Sequence, residues 1–286
     1  MKRGIFLPIL AEFFFALATV FAKFVTNSSD IPAIEITFFR VSIGTVVAAI
    51  YMLQTGTSFR PQKVKLVISR ALFSFSALIG FFYAVEHSSV TNANMLNMTY
   101  PVFIFLVAPL FKLELLHKSA FLFLILTMAG IYLVVFPDFS NINKGDLIGL
   151  LSGILAAFAI ISLSMAREFD STVLIVFYLM FIGTILNAFM MAPVFVMPEA
   201  ENLPLLVASG VAGLTGQILL TMGYKNVSAK AGSMVSSSRI IFAALMGSLF
   251  FSEALSARVM LGGLLIIGSI IGVSALQKKT NSEDAQ

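Results

Sequence analysis

Residues 89–116 read SVTNANMLNMTYPVFIFLVAPLFKLELL, and residues 228–255 read SAKAGSMVSSSRIIFAALMGSLFFSEAL. Slid by 139 positions the two stretches agree at eight of 28: Ser89/Ser228, Met95/Met234, Phe103/Phe242, Leu106/Leu245, Leu110/Leu249, Phe111/Phe250, Glu114/Glu253 and Leu116/Leu255. An apolar alphabet inflates such agreement. The polar positions coincide too, with Asn94, Asn97 and Thr99 falling on Ser233, Ser236 and Ser238, which makes an internal repeat the working reading.

Outward from these stretches the chain is oil. Of its 286 residues 59% are apolar and 11% charged, with a mean hydropathy of +0.99, outside the usage of a soluble globular domain. A bilayer crossing needs about 20 apolar residues. Apolar runs occupy residues 5–26, 32–53, 64–85, 90–111, 119–136, 146–165, 173–197, 203–224, 229–251 and 257–276. The expected fold is therefore an all-α membrane protein of about ten transmembrane helices. The connections are too short to hold a soluble domain. The longest polar one, around residues 137–145, divides the spans five and five, giving a first repeat at 1–138, a second at 139–277 and a polar tail at 278–286.

An odd-numbered repeat must cross the membrane the opposite way in its second copy. Such inverted repeats place a binding site near the midplane, where the copies meet. Charge sets the orientation: with the N-terminus cytoplasmic, 13 of the 18 basic residues fall on the inner side, three outside and two, Arg40 and Arg239, within spans. That bias puts both termini in the cytoplasm and the protein in the cytoplasmic membrane. The start, Met1-Lys2-Arg3 before an apolar run, imitates a signal peptide, but Glu12 interrupts the apolar core and the run continues to Val25, so it is read as the first span.

Two five-span copies, each with a polar patch early in its fourth span, an apolar run, and then Leu113-Glu114 or Ser252-Glu253, resemble the EamA-type transporters of the drug/metabolite transporter superfamily. Glu35-Ile36-Thr37-Phe38-Phe39-Arg40, opening span two, resembles that family's Phe-Arg signature, although the second copy has Val176-Phe177-Tyr178-Leu179-Met180 there and no matching arginine. The resemblance implies a permease with no catalytic residues.

Ionisable groups at bilayer depth are costly and normally face a cavity or a partner. Glu12, Arg40 and Arg239 are the deepest, and two readings stay open at this point: an internal ion pair that fixes helix packing, or a substrate or proton site. Polar side chains that lipid cannot satisfy cluster at Asn94, Asn97 and Tyr100 and again at Ser233, Ser236 and Arg239, with Gln217 nearby in span eight; Ser76, Tyr83, Thr221 and Tyr224 extend the candidate lining. Glycines at 145, 149 and 153, and at 268 and 272, recur every four residues as close-packing surfaces, within the chain or between two copies.

Several function classes are excluded or disfavoured. The chain has no cysteine and only His87 and His117, so thiolate chemistry is excluded and a histidine metal cluster disfavoured. No phosphate-binding glycine loop or hydrolase motif occurs, so neither a cofactor nor a metal is expected. Its basic residues are scattered through short loops and form no nucleic-acid stripe. The reading is a secondary transporter moving a small organic metabolite, amino-acid-like or otherwise polar, across the bilayer by alternating access. Proton coupling through Glu12 and a homodimer are open additions. An intramembrane lipid-modifying enzyme or a non-transporting assembly protein is the alternative.

Overall fold

The computed structural model describes residues 5–111, 118–140 and 142–283. Among them the regular structure is helical, without a strand: α1 Phe6–Ser28, α2 Ala33–Thr55, α3 Val64–His87, α4 Val90–Asn97, α5 Tyr100–Val107, α6 Lys118–Val135, α7 Lys144–Ala166, α8 Thr172–Met191, α9 Leu203–Gly223, α10 Ala229–Ser236, α11 Ser238–Phe251 and α12 Ala257–Glu283. Among the described residues nine segments are long and apolar enough to cross a bilayer, counting Thr91–Phe111 and Ala229–Phe251 as one each; Ala120–Val135 is apolar but shorter.

Helix ends follow local chemistry. The Ser89 hydroxyl accepts from the Asn92 N–H to cap α4, and Ser228, its match in the offset alignment, accepts from the Ala231 N–H to cap α10. Asn143 and Asp146 form a reciprocal capping box at the start of α7. Gly56 ends α2 at φ 64°, where a side chain would be strained. Outside the spans, the Asp138 carboxyl is held below the usual carboxylate range by hydrogen bonds from the Ser140 hydroxyl and N–H.

The fourth and ninth apolar runs, expected to be continuous helices, are each broken. The first break falls at Met98 and Thr99, and the second at Ser237. Pro101 explains the first: it has no N–H to give, and its ring opposes the carbonyl four residues back, at Asn97. No proline stands at the second break. There Ile240 donates to the Ser237 carbonyl and Ser237 to the Met234 carbonyl, three-residue spacings that tighten the backbone within a run of serines.

The dominant helix pairings are α3 with α7, α1 with α9, α6 with α12, and α2 with α8. The largest buried cluster includes Ala11, Val67, Tyr100, Ile161, Leu163 and Tyr224, so α1, α3, α5, α7 and the end of α9 meet around the first break. Close approach there depends on Gly153 of α7. A Cβ at this position would lie 2.7 Å from the Leu96 carbonyl oxygen and 2.8 Å from Thr99 Oγ1, so only glycine lets α7 seat against the broken backbone. The other α7 glycines pack on α3 and α4, Gly145 against the His87 backbone and Gly149 against Ala84 and Leu96.

Candidate functional site

The second break opens beside α1. Ser238 starts α11, and the next residue, Arg239, turns its guanidinium to Glu12, with Nε donating to Oε2 at 2.6 Å. The Glu12 side chain is fully buried, whereas Arg239 keeps 37% of its side chain exposed, so the pair has a sealed end and an open end. The guanidinium carbon lies 4.5 Å from the centroid of the Phe15 ring, which holds it by a cation–π contact one turn along α1 from Glu12. Arg40, from α2, is within electrostatic reach of Arg239. Its stem occupies space beside Gly213 of α9 that a Cβ would take, so that glycine makes room for the second arginine.

Below the pair the polar contacts continue through aromatic hydroxyls. The Ser236 hydroxyl lies among Glu12, Tyr100 and Tyr224. Tyr100 donates from its hydroxyl to the Ser233 carbonyl at 3.3 Å, joining α5 to α10 across the bundle. Arg70, from α3, is buried and within electrostatic reach of Tyr224. Eight buried side-chain atoms among the described residues have no hydrogen-bond partner, and five of them belong here: Glu12 Oε1, Arg70 Nε, Tyr224 Oη, Ser237 Oγ and Ser238 Oγ. Buried polar atoms are almost always satisfied, so a concentration of unsatisfied ones in one place marks where water or a polar ligand is accommodated.

Of the nine residues expected to line a site, Glu12, Arg40, Tyr100, Ser233, Ser236 and Arg239 converge in this cluster. Gln217 is buried, and its amide donates to Thr221 within α9. Asn97 donates from its amide to Ser152 Oγ of α7 at 3.0 Å, a contact that ties α4 to α7. Asn94 instead lines a separate open cleft of about 370 Å³, with Thr91, Met98, Ile240, Glu253 and Val259. That cleft runs from the α11–α12 connection down α11 to Ile240, next in sequence to Arg239. Glu253, at its rim, is paired with Lys23 near the end of α1.

Two expectations need correcting. Ser76 and Tyr83 do not extend the lining: both are exposed, and Tyr83 stacks on His87 with ring centroids 3.9 Å apart. Arg70 and Lys230, two of the 13 basic residues assigned to the inner side, are buried at 5% and 4% exposure. The available signal for Arg70 was its position six residues inside an apolar run, roughly 9 Å at 1.5 Å per residue, too deep to be an unremarked face charge.

The EamA-like transporter family matches residues 2–136 of the chain and, again, residues 143–275. The chain belongs to the EamA-like transporter family. It is similar to the pseudopaline exporter of Pseudomonas aeruginosa, 31% identical over 280 residues that cover 97% of this chain and 98% of the exporter. It is also similar to solute carrier family 35 member G1 of Homo sapiens, 24% identical over 294 residues covering 95% of this chain and 78% of the carrier. A crystal structure of 16% sequence identity superposes with a TM-score of 0.79 over 98% of this chain and 99% of that one, a likeness of fold. This EamA-like protein is a multi-pass membrane protein of a transporter family, not an enzyme, and its cargo is a small molecule.

Proposed function

We propose that this EamA-like protein is a secondary transporter of a polar organic metabolite, built from two inverted five-helix repeats and working by alternating access around the Glu12–Arg239 pair. The observation that carries this reading is the pair itself: a sealed carboxylate and a partly open guanidinium at a helix break, surrounded by unpartnered polar atoms. Broken helices at matching repeat positions are where transporters present backbone and side-chain polarity to a solute at the midplane.

The repeat reading has independent support. Thr45 of α2 and Thr184 of α8 share a hydrogen bond of 2.9 Å and are 139 residues apart, the same offset that aligns the two stretches. Residues related by a two-fold axis touch each other only on the axis, so the α2–α8 contact is where that axis would run. Partner helices also exchange as a two-fold requires, since α1 with α9 becomes α7 with α3 under the offset. Ten crossings, both termini in the cytoplasm and residence in the cytoplasmic membrane complete the proposal. In that orientation the open cleft beside Glu253 faces outward, and the named exporter relative favours outward net movement.

The test is solute movement. Purified protein in liposomes, loaded with candidate polar metabolites, is expected to release at least one of them faster than protein-free liposomes do. A metabolite screen by thermal shift selects the candidates, because a ligand that binds the folded state raises its apparent stability. Thermal stabilisation without movement by any bound compound would refute transport and favour a non-transporting assembly protein.

A further inference from the structure

Beyond the Glu12–Arg239 pair, the bundle holds a second guanidinium in a different situation. Arg70 is 5% exposed, its guanidinium makes no hydrogen bond or ion pair among the described residues, and its Nε is buried with no partner. Its neighbour in electrostatic reach is Tyr224, the residue that ends α9, 3% exposed and with a hydroxyl that also lacks a partner. The tyrosine ring is fixed in place: it fills the space beside Gly232 of α10, where a Cβ would stand 2.7 Å from the ring.

A structural role does not explain this arrangement. A cation near a helix C-terminus is favoured by the helix dipole, but the Thr221 carbonyl near the end of α9 is taken by Arg167 Nε at 3.0 Å, and the Arg70 guanidinium donates to no carbonyl there. At 5% exposure the side chain has little contact with water, and its Nε has none. An ionised guanidinium left unpaired at bilayer depth is costly, so such residues face partners or pathways. What the Arg70 guanidinium lacks is an acceptor, and the Tyr224 hydroxyl has only the Ser236 hydroxyl near it. A planar fork of N–H donors beside a phenolic O–H is complementary to an oxyanion, which accepts two parallel bonds from the fork and a third from the hydroxyl.

We propose that Arg70 and Tyr224 form an inner oxyanion subsite, distinct from the Glu12–Arg239 pair, which holds a carboxylate or phosphate group of the transported solute. The inference rests on the transporter reading of the same polar cluster. It narrows the cargo to acids, with Tyr100 and Ser236 spanning the distance to the outer pair. Arg70, Arg40 and Arg239 together outnumber Glu12 among the clustered charges, which favours the same sign of cargo.

The experiment is a thermal-shift titration of the purified full chain in detergent, at constant ionic strength set with chloride, using acetate, succinate and inorganic phosphate as probes. Phosphatidylglycerol added to the micelles serves as a separate arm. At least one soluble probe is expected to raise the midpoint above the chloride control. Arg70→Gln should abolish that rise, and Tyr224→Phe, which removes one hydroxyl and leaves the packing, should weaken apparent affinity about tenfold. Equal responses in the parent and Tyr224→Phe overturn the subsite even if Arg70→Gln does not fold. So does stabilisation by phosphatidylglycerol alone, which would make Arg70 a lipid contact. The two readings fail separately. Transport that survives Arg70→Gln unchanged removes the subsite and leaves the transporter, whereas Arg70-dependent probe binding with no transport leaves the subsite and removes the transporter.

Discussion

At the scale of single residues, the Glu12–Arg239 pair is asymmetric, and the asymmetry is what gives it a use. A buried ion pair adds little net stability, because desolvation offsets attraction, but removing one partner strands the other. Glu12 is fully enclosed, so Glu12→Gln leaves Arg239 without its counter-ion while keeping a side chain of the same shape. The substitution is expected to abolish any dependence of transport on a proton gradient, read as equal rates with and without an imposed pH difference. Arg239→Lys keeps the charge and loses the fork, so solute affinity should fall about tenfold, measured as a shift in the transport midpoint. Ser236 and Asn97 occupy matching positions in the two stretches but have different neighbours. Ser236 stands among Glu12, Tyr100 and Tyr224, whereas Asn97 is engaged by Ser152. Ser236→Ala is therefore expected to lower the transport rate with normal expression, while Asn97→Ala costs about 0.6 kcal/mol of interhelical hydrogen bonding and leaves the rate close to the parent's.

At the scale of elements, the apolar runs were legible because length and hydropathy alone decide a bilayer-crossing helix. The breaks inside two of them were not read. Pro101 was a visible signal for the first, since a proline inside a helical pattern interrupts it at the preceding turn. The second depends on how Ser236, Ser237 and Ser238 are seated against α1, which is a tertiary fact and leaves no pattern in composition. The charged cluster was legible for Glu12, Arg40 and Arg239 because each stands deep in its run. Arg70 stands six residues inside its run as well, and that depth is the signal the sequence reading left unused. Packing around the first break gives a direct check. Gly153→Leu would force side-chain atoms into the space taken by Leu96 and Thr99, so a destabilisation of about 1–3 kcal/mol is expected, read as a lower thermal midpoint of the purified protein.

At the scale of the whole molecule, two matches to one family along a single chain, and equivalent helices paired across the bundle, fit the proposed inverted repeat, under which both ends would share one face. Under that proposal the positive-inside bias would set the absolute direction, and the bias survives the burial of Arg70 and Lys230, because the remaining basic residues proposed as inner-side still far exceed Lys23, Lys144 and Arg258. The chain has no cysteine, so single cysteines report cleanly. Ser140→Cys, in the exposed α6–α7 connection, is expected to react with an impermeant thiol reagent in intact cells, and Ser58→Cys, in the exposed α2–α3 connection, is not. Transport itself is tested most directly by loading liposomes, with and without the purified protein, with a cytoplasmic metabolite extract and following efflux by mass spectrometry. One or a few acidic metabolites should leave faster through the parent protein than through Arg239→Ala or empty liposomes; identical efflux profiles from all three preparations would contradict a solute pathway through the Glu12–Arg239 pair.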